Sequence, residues 1–160
     1  EYLRDAGARC WVTDIHAERV AQVADETGAT PVDAEDVFGL DVDVFAPCAL
    51  GAVLNSETIP KLRARIVAGA ANNQLERRAH GEMLMREGIL YAPDYVINAG
   101  GVIDVAFERT GYDLEKVVSK VNGIAASLSE IFERSDAEQR PTSEVADDLA
   151  RERFMIDMAA

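Results

Sequence analysis

Lysine is almost missing from this chain. Of its 160 residues 16 are basic, and only Lys61, Lys116 and Lys120 among them are lysines. Against these stand 29 acidic residues, a formal net charge of −13. A surface of that sign repels phosphate backbones and anionic headgroups, which argues against nucleic acid or a membrane as partner. Excess acid with so little lysine fits a salty habitat or a bias of genomic composition. Cysteine is scarce as well: Cys10 and Cys48 stand alone without metal-ligand spacing and read as reduced thiols. No apolar run approaches the ~20 residues that span a bilayer, and no signal-peptide pattern opens the chain. A cytoplasmic location is therefore expected. An initiating Met and a G-x-G-x-x-G loop are both lacking.

What is present alternates in the manner of a parallel sheet. Residues 1–6 read as the last turns of a helix closed by Gly7, and a β-rich run over 8–14 follows directly. Because such units are built as strand–helix–strand, this order implies an earlier strand upstream. Helical spacing over 17–27 puts Val20, Val23 and Ala24 on one face, with Gly28 as the stop. Short strands are expected at 30–32, 43–47, 65–70 and 89–91, with single helical turns at 35–38 and, capped by Ser56, at 56–62. A helix is expected over 76–87, ended by Gly88. Beyond residue 100 the pattern turns helical, over 101–110, 113–134 and 142–158, with Pro141 separating the last two. In the middle helix Val117, Val121, Ile124, Leu128, Ile131 and Phe132 form an apolar stripe. The expectation is one domain over 1–160, α/β in class. It is a Rossmann-like doubly wound parallel sheet without its first strand and Gly-rich loop, followed by C-terminal helices.

Three strand ends carry the candidate chemistry. Asp14 is a carboxylate at the end of a strand, where the second strand of a dinucleotide-binding unit accepts hydrogen bonds from the adenosine ribose hydroxyls. A carboxylate there repels a 2′-phosphate and favours NAD over NADP, and the Gly-rich loop about 20 residues earlier falls before residue 1. On spacing alone Asp14 is equally a cap for the next helix. Small residues at 46–51 let the backbone approach a flat ligand, and nothing near Cys48 supplies the base or cation a thiolate nucleophile needs. Residues 69–74 repeat the pattern and end in side-chain amides, whose donor and acceptor suit a carboxamide such as that of nicotinamide or a helix cap. Residues 94–101 form the third mouth, with Asn98 and paired glycines that favour a planar or anionic ligand, or simply a turn into a helix.

Read together, Val12-Thr13-Asp14-Ile15, Phe45-Ala46-Pro47-Cys48-Ala49-Leu50-Gly51, Ala71-Asn72-Asn73-Gln74-Leu75 and Tyr91-Ala92-Pro93-Asp94-Tyr95-Val96-Ile97-Asn98-Ala99-Gly100-Gly101-Val102-Ile103 closely resemble the Glu/Leu/Phe/Val dehydrogenase family. The second and fourth strings look like its branched-chain and phenylalanine members, and the likeness runs on to the C-terminal helices. The resemblance implies oxidative deamination of an L-amino acid to a 2-oxo acid and ammonia, with NAD taking the hydride. It implies a cofactor site lined by Asp14 and Ile15, by Cys48, Ala49 and Leu50, by Ala71 and Asn73, and by Asn98. Asn98, Val102 and Val105 would face the substrate. The family's two catalytic lysines have no counterpart in a loop mouth here, so no catalytic residue is expected in this chain. They belong to an N-terminal catalytic domain outside it, and a homo-oligomer is implied. A non-catalytic NAD sensor, or a glutamate- or folate-dehydrogenase type enzyme on the same fold, stands as the alternative.

Overall fold

The computed structural model describes residues 1–109 and 111–158, with side chains through Phe154. The end of the helix expected over 101–110 falls on Thr110, outside the described residues. The chain divides into two compact units, Glu1–Asp41 and Val42–Ala160.

In the first unit helix α1 (Tyr2–Asp5) is closed by Gly7, whose φ of 85° puts it in the left-handed region open to glycine. Strand β1 (Trp11–Val12) leads into helix α2 (Ala17–Thr27), which Gly28 ends at φ 72° as its position foretold. Strand β2 (Thr30–Pro31) then pairs in parallel with β1, Trp11 opposite Thr30 and Val12 opposite Pro31. Pro31 costs this ladder nothing, because the N–H groups on either side of it, of Thr30 and Val32, donate to Cys10 and Val12 carbonyls. A 3₁₀ turn at Val37–Gly39 starts two residues later and ends one later than the turn expected at 35–38.

The second unit is built on a three-stranded parallel sheet, β3 (Val44–Phe45), β4 (Ile66–Val67) and β5 (Leu90–Tyr91), in that order. Val44 faces Ile66 and Ile66 faces Leu90 across it. Both sheets, β2-β1 and β3-β4-β5, are wholly parallel. Each is built as the Rossmann-like parallel α/β class that the alternation of elements predicts.

Helix α3 (Ala79–Arg86) links β4 to β5. It begins three residues later than expected, because the buried His80 ring accepts the Arg77 N–H at 3.1 Å and holds 76–78 as a turn. With Nδ1 so occupied, Nε2 carries the proton and donates to Ser56 Oγ at 3.1 Å. Ser56 is therefore no helix cap. Asn55 Oδ1 takes the N–H groups of Glu57 and Thr58, and only Ile59–Lys61 coils, as a 3₁₀ turn. After β5 come α4 (Asp94–Ile97), α5 (Gly100–Glu108), α6 (Leu114–Glu138) and α7 (Thr142–Met158). The turn α4 is a helix inside what the sequence reads as an open mouth. Helix α6 starts on its Asp113 cap and runs four residues past the expected Arg134, to a left-handed Gln139.

Two apolar clusters hold this unit. Leu54, Ile59, Val67, Leu84, Ile89 and Tyr91 pack around the sheet; Ile131, Val145, Ala146 and Leu149 lock α6 to α7, with Val96 and Phe132 against them. Thr142 Oγ1 donates to the Tyr91 carbonyl at 2.7 Å and so ties the start of α7 to the end of β5. No helix among the described residues is long and apolar enough to cross a membrane.

Candidate functional site

Parallel strands deliver their C-terminal ends to one edge, so the segments leaving β3, β4 and β5 are neighbours by construction. The first follows β3. Its buried Pro47 offers a carbonyl to the Ala71 N–H at 2.9 Å, and Cys48 Sγ accepts from the Ala70 N–H at 3.5 Å. Two glycines permit this closeness. A Cβ on Gly69 would lie 2.2 Å from the Pro47 carbonyl oxygen, and one on Gly51 would lie 2.8 Å from that of Asn72. The stitching continues as Ala52 N–H donates to Asn73 O at 2.7 Å and Leu54 N–H to Gln74 O at 2.9 Å.

The second segment, 69–74, carries the amides. Asn73 sits at φ 54°, a left-handed conformation that asparagine tolerates better than most side chains. Gln74 is fully buried, and its Nε2 donates to Gly69 O at 2.7 Å and Ala71 O at 2.9 Å. In the third segment Asp94 opens α4, and the same short helix ends on Asn98. Asn98 Nδ2 reaches back to Ala70 O at 3.2 Å and to Asn72 Oδ1 at 2.7 Å. Both of its hydrogens are thereby used. Among the described residues, Asn98 Oδ1 and Asn72 Nδ2 have no recorded partner, so the joined amides present one acceptor oxygen and one donor NH₂. A primary carboxamide has the complementary pair, so the donor set fits a nicotinamide group.

The site residues expected from the sequence are distributed as follows. Asn98, Cys48 and Ala71 are joined through the backbone of 70–72 and Pro47. Asn73 lies on the same segment, but the amide that meets Asn98 is Asn72, which sequence reasoning passed over. The doubled Asn72-Asn73 is the only signal, and the left-handed turn at Asn73 settles which of the two meets Asn98. Ala49 and Leu50 are exposed beyond Cys48, Leu50 at 79%. Val102 and Val105 stand one turn apart on α5 and are 69% and 55% exposed, a large solvent share for paired valines. In the first unit Asp14 and Ile15 are exposed, and Asp14 Oδ1 accepts the His16 N–H at 2.9 Å just before α2. One oxygen of Asp14 thus closes a local turn onto His16, and the other makes no hydrogen bond among the described residues.

Two phenols border this region. Burial, followed by the Asp94 carboxylate, pushes the Tyr91 hydroxyl above its ordinary range. Burial, then the 2.7 Å hydrogen bond to Asp147, does the same for Tyr95. Both stay protonated at neutral pH, so neither serves as a base. The lysines are elsewhere: Lys61 ends a 3₁₀ turn, and Lys116 pairs with Asp113 at 3.0 Å at the start of α6. Among the described residues, no group of three or more His, Cys, Asp or Glu is placed to hold a metal ion.

Comparison with known proteins places this geometry in context. The family profile described as Glutamate/Leucine/Phenylalanine/Valine dehydrogenase matches residues 11–152. The leucine dehydrogenase of Geobacillus stearothermophilus is 46% identical over 153 residues, which cover 96% of this chain and 42% of that protein. A phenylalanine dehydrogenase of Caldalkalibacillus thermarum is 40% identical over 159 residues, 43% of its length. The crystal structure of L-tryptophan dehydrogenase from Nostoc punctiforme superposes with a TM-score of 0.95 at 45% identity, covering 99% of this chain and 48% of that one. The chain therefore spans less than half the length of the relatives it matches.

Proposed function

The chain belongs to the Glutamate/Leucine/Phenylalanine/Valine dehydrogenase family, and on that premise we propose that it is the NAD-binding domain, over 1–160, of an enzyme that oxidatively deaminates a branched-chain or aromatic L-amino acid. The products are the 2-oxo acid and ammonia. The observation that carries this reading is the joined Asn72 and Asn98 amides at the edge of the parallel sheet. NAD, when bound, supplies the acceptor for the hydride leaving the substrate α-carbon. Asn72 Nδ2 and Asn98 Oδ1 would hold its carboxamide. Cys48, Ala49, Leu50 and Ala71 line the cofactor, Asn73 orders the segment beside it, and Asp14 with Ile15 takes the adenosine ribose. Val102 and Val105 cover the apolar side chain of the substrate, a reading supported by the exposure of two valines on α5.

Acid–base chemistry comes from lysines of a catalytic domain that precedes residue 1, in a cytoplasmic homo-oligomer. Lysine suits the task because burial and neighbouring charge bring its pKa towards neutrality. The test is to express the full-length protein and follow NADH absorbance with L-leucine, L-valine, L-phenylalanine and L-tryptophan. Turnover of at least one is expected; NAD binding without turnover of any would replace the enzyme by a sensor. Within the active protein, Asp14→Ser is expected to weaken NAD by about 1.5–3 kcal/mol, the worth of hydrogen bonds to a charged acceptor. It also relaxes the bias against NADP, and an unchanged NAD/NADP ratio would remove Asp14 from the site.

A further inference from the structure

Behind the chemistry of the two amides stands a closed circuit of hydrogen bonds. Gln74 is wholly buried and grips the carbonyls of Gly69 and Ala71, on either side of Ala70. The Ala70 carbonyl is one of the two acceptors of Asn98 Nδ2. The Gln74 backbone N–H donates to Asp94 Oδ2 at 2.9 Å, while Asp94 Oδ1 takes the Tyr95 N–H at 2.8 Å. Asp94 is itself buried, and its carbonyl accepts the N–H of Asn98 at 2.9 Å. The path thus runs from the segment after β4, through Gln74 and Asp94, to Asn98, and back to Ala70 and Asn72.

Gln74 makes this circuit at a visible cost. Its Oε1 is buried and has no hydrogen-bond partner, a state that few native side chains keep. Leucine or methionine of similar bulk would bury no orphan oxygen there. What either would lose is the NH₂ that sets the backbone on which Asn72 and the Asn98 acceptor stand. We propose that Gln74 and Asp94 are positioning residues that fix the gap between the Asn72 and Asn98 amides, and with it the pose of the nicotinamide ring. The inference rests on the dehydrogenase reading above. Neither residue touches the cofactor; both act through the amides, and misplacement there is read in the rate because hydride transfer demands close, aligned donors and acceptors.

Asp94→Asn is the selective variant. It keeps size and shape, but an amide has one oxygen and cannot accept from both Gln74 and Tyr95. In the full-length protein it is expected to lower kcat about 10- to 100-fold, the scale of a misplaced reacting group. KM for NAD is expected to move by less than about threefold, and the isotope effect with α-deuterated substrate to rise, as for a residue acting in the transition state. Gln74→Met gives the same split. Ser135→Ala, which deletes the half-buried bond from Ser135 Oγ to Arg140 O in the α6–α7 turn, is the control for stability alone. A kcat loss in Asp94→Asn no larger than in that control overturns the proposal. So does a double variant Asp94→Asn/Asn98→Ala that is slower than Asn98→Ala by the full single-variant factor. Hydrogen exchange measured over 69–74 and 95–99 supplies a readout that needs no turnover. Both peptides are expected to exchange faster in Asp94→Asn and not in Ser135→Ala. If the wild type oxidises no amino acid, the enzymatic reading falls by itself, and unchanged exchange in these peptides brings down the circuit as well.

Discussion

The two compact units obey the same local rules and differ in what those rules secure. In Glu1–Asp41, Ala29 is the one residue classed as buried; Trp11 and Val23 are each 38% exposed, and β1 and β2 form a two-stranded sheet. In Val42–Ala160 the strands lie among Leu54, Val67, Leu84 and Tyr91, and the long helices meet over Ile131 and Val145. Both have well-closed helices and parallel ladders. Capping and backbone pairing are short-range and form wherever the right residues stand in order, whereas burial needs a third layer. A two-stranded sheet offers too little apolar area for that, so the first unit has shape without a core of its own. Asp14, proposed above for the ribose, therefore stands on the less secured unit, and the joined Asn72 and Asn98 amides on the better secured one.

Hydrogen exchange gives the largest expected contrast. Local opening is easiest where few apolar contacts cover the backbone. The N–H groups of Thr30 and Val32, which complete the β1–β2 ladder, are expected to exchange at least about a thousandfold faster than those of Ala68 and Ala92 in the second sheet. Equal protection in the isolated chain would erase the distinction between the units.

The same contrast explains what could be read without coordinates. Gly7, Gly28 and Gly88 end helices or turns by a conformation that belongs to glycine itself, and the helical pattern begins at Asp113, which caps α6, so these were legible. The place of Asn98 just beyond the last strand was legible from the alternation of elements. Its partner Asn72 was not, since choosing between it and Asn73 requires the left-handed φ at Asn73. Ser56 was misassigned as a cap because its partner His80 lies 24 residues away, and the late start of α3 has the same distant cause. The turn α4 escaped because four residues rich in Tyr, Val and Ile carry no helical period. The last turn of α6 escaped because Ser135, Asp136 and Glu138 leave only Ala137 to carry an apolar period. Gln74 and Asp94 carry no pattern that foretells their burial, which follows from contacts twenty residues apart.

Core truncation is the next sharpest probe. Ile131 is 1% exposed between α6 and α7, so Ile131→Ala is expected to cost about 2–5 kcal/mol in denaturant unfolding, as cavity-forming changes do. Val20 faces inward on α2 but is only half-buried, and Val20→Ala is expected to cost less than about 1 kcal/mol. Comparable losses at both positions would mean that the first unit owns a core that its exposure conceals.

Acid gives the smallest effect, and it too divides the units. In the first, Arg4 pairs with its neighbour Asp5 at 2.9 Å, a contact local enough to survive any change around it. In the second, Arg140 reaches Asp148 and Arg134 reaches Glu152, so carboxylates of α7 hold the far end of α6. The hydrogen bond from Arg140 holds Asp148 below the usual carboxylate range, and that from Arg134 does so for Glu152. A carboxylate whose folded pKa is depressed contributes stability above its unfolded pKa, about 4 for these groups, and loses it as pH falls through the folded value. The α6–α7 pairing is therefore expected to hold down to about pH 4 and to weaken below it, modestly because the pairs are solvent-exposed and screened. The measurement is the thermal midpoint between pH 5 and pH 3 for the wild type and for Glu152→Gln, which cannot titrate at that position. A shallower decline in Glu152→Gln is expected, and identical slopes would show that these ion pairs do not couple the two helices.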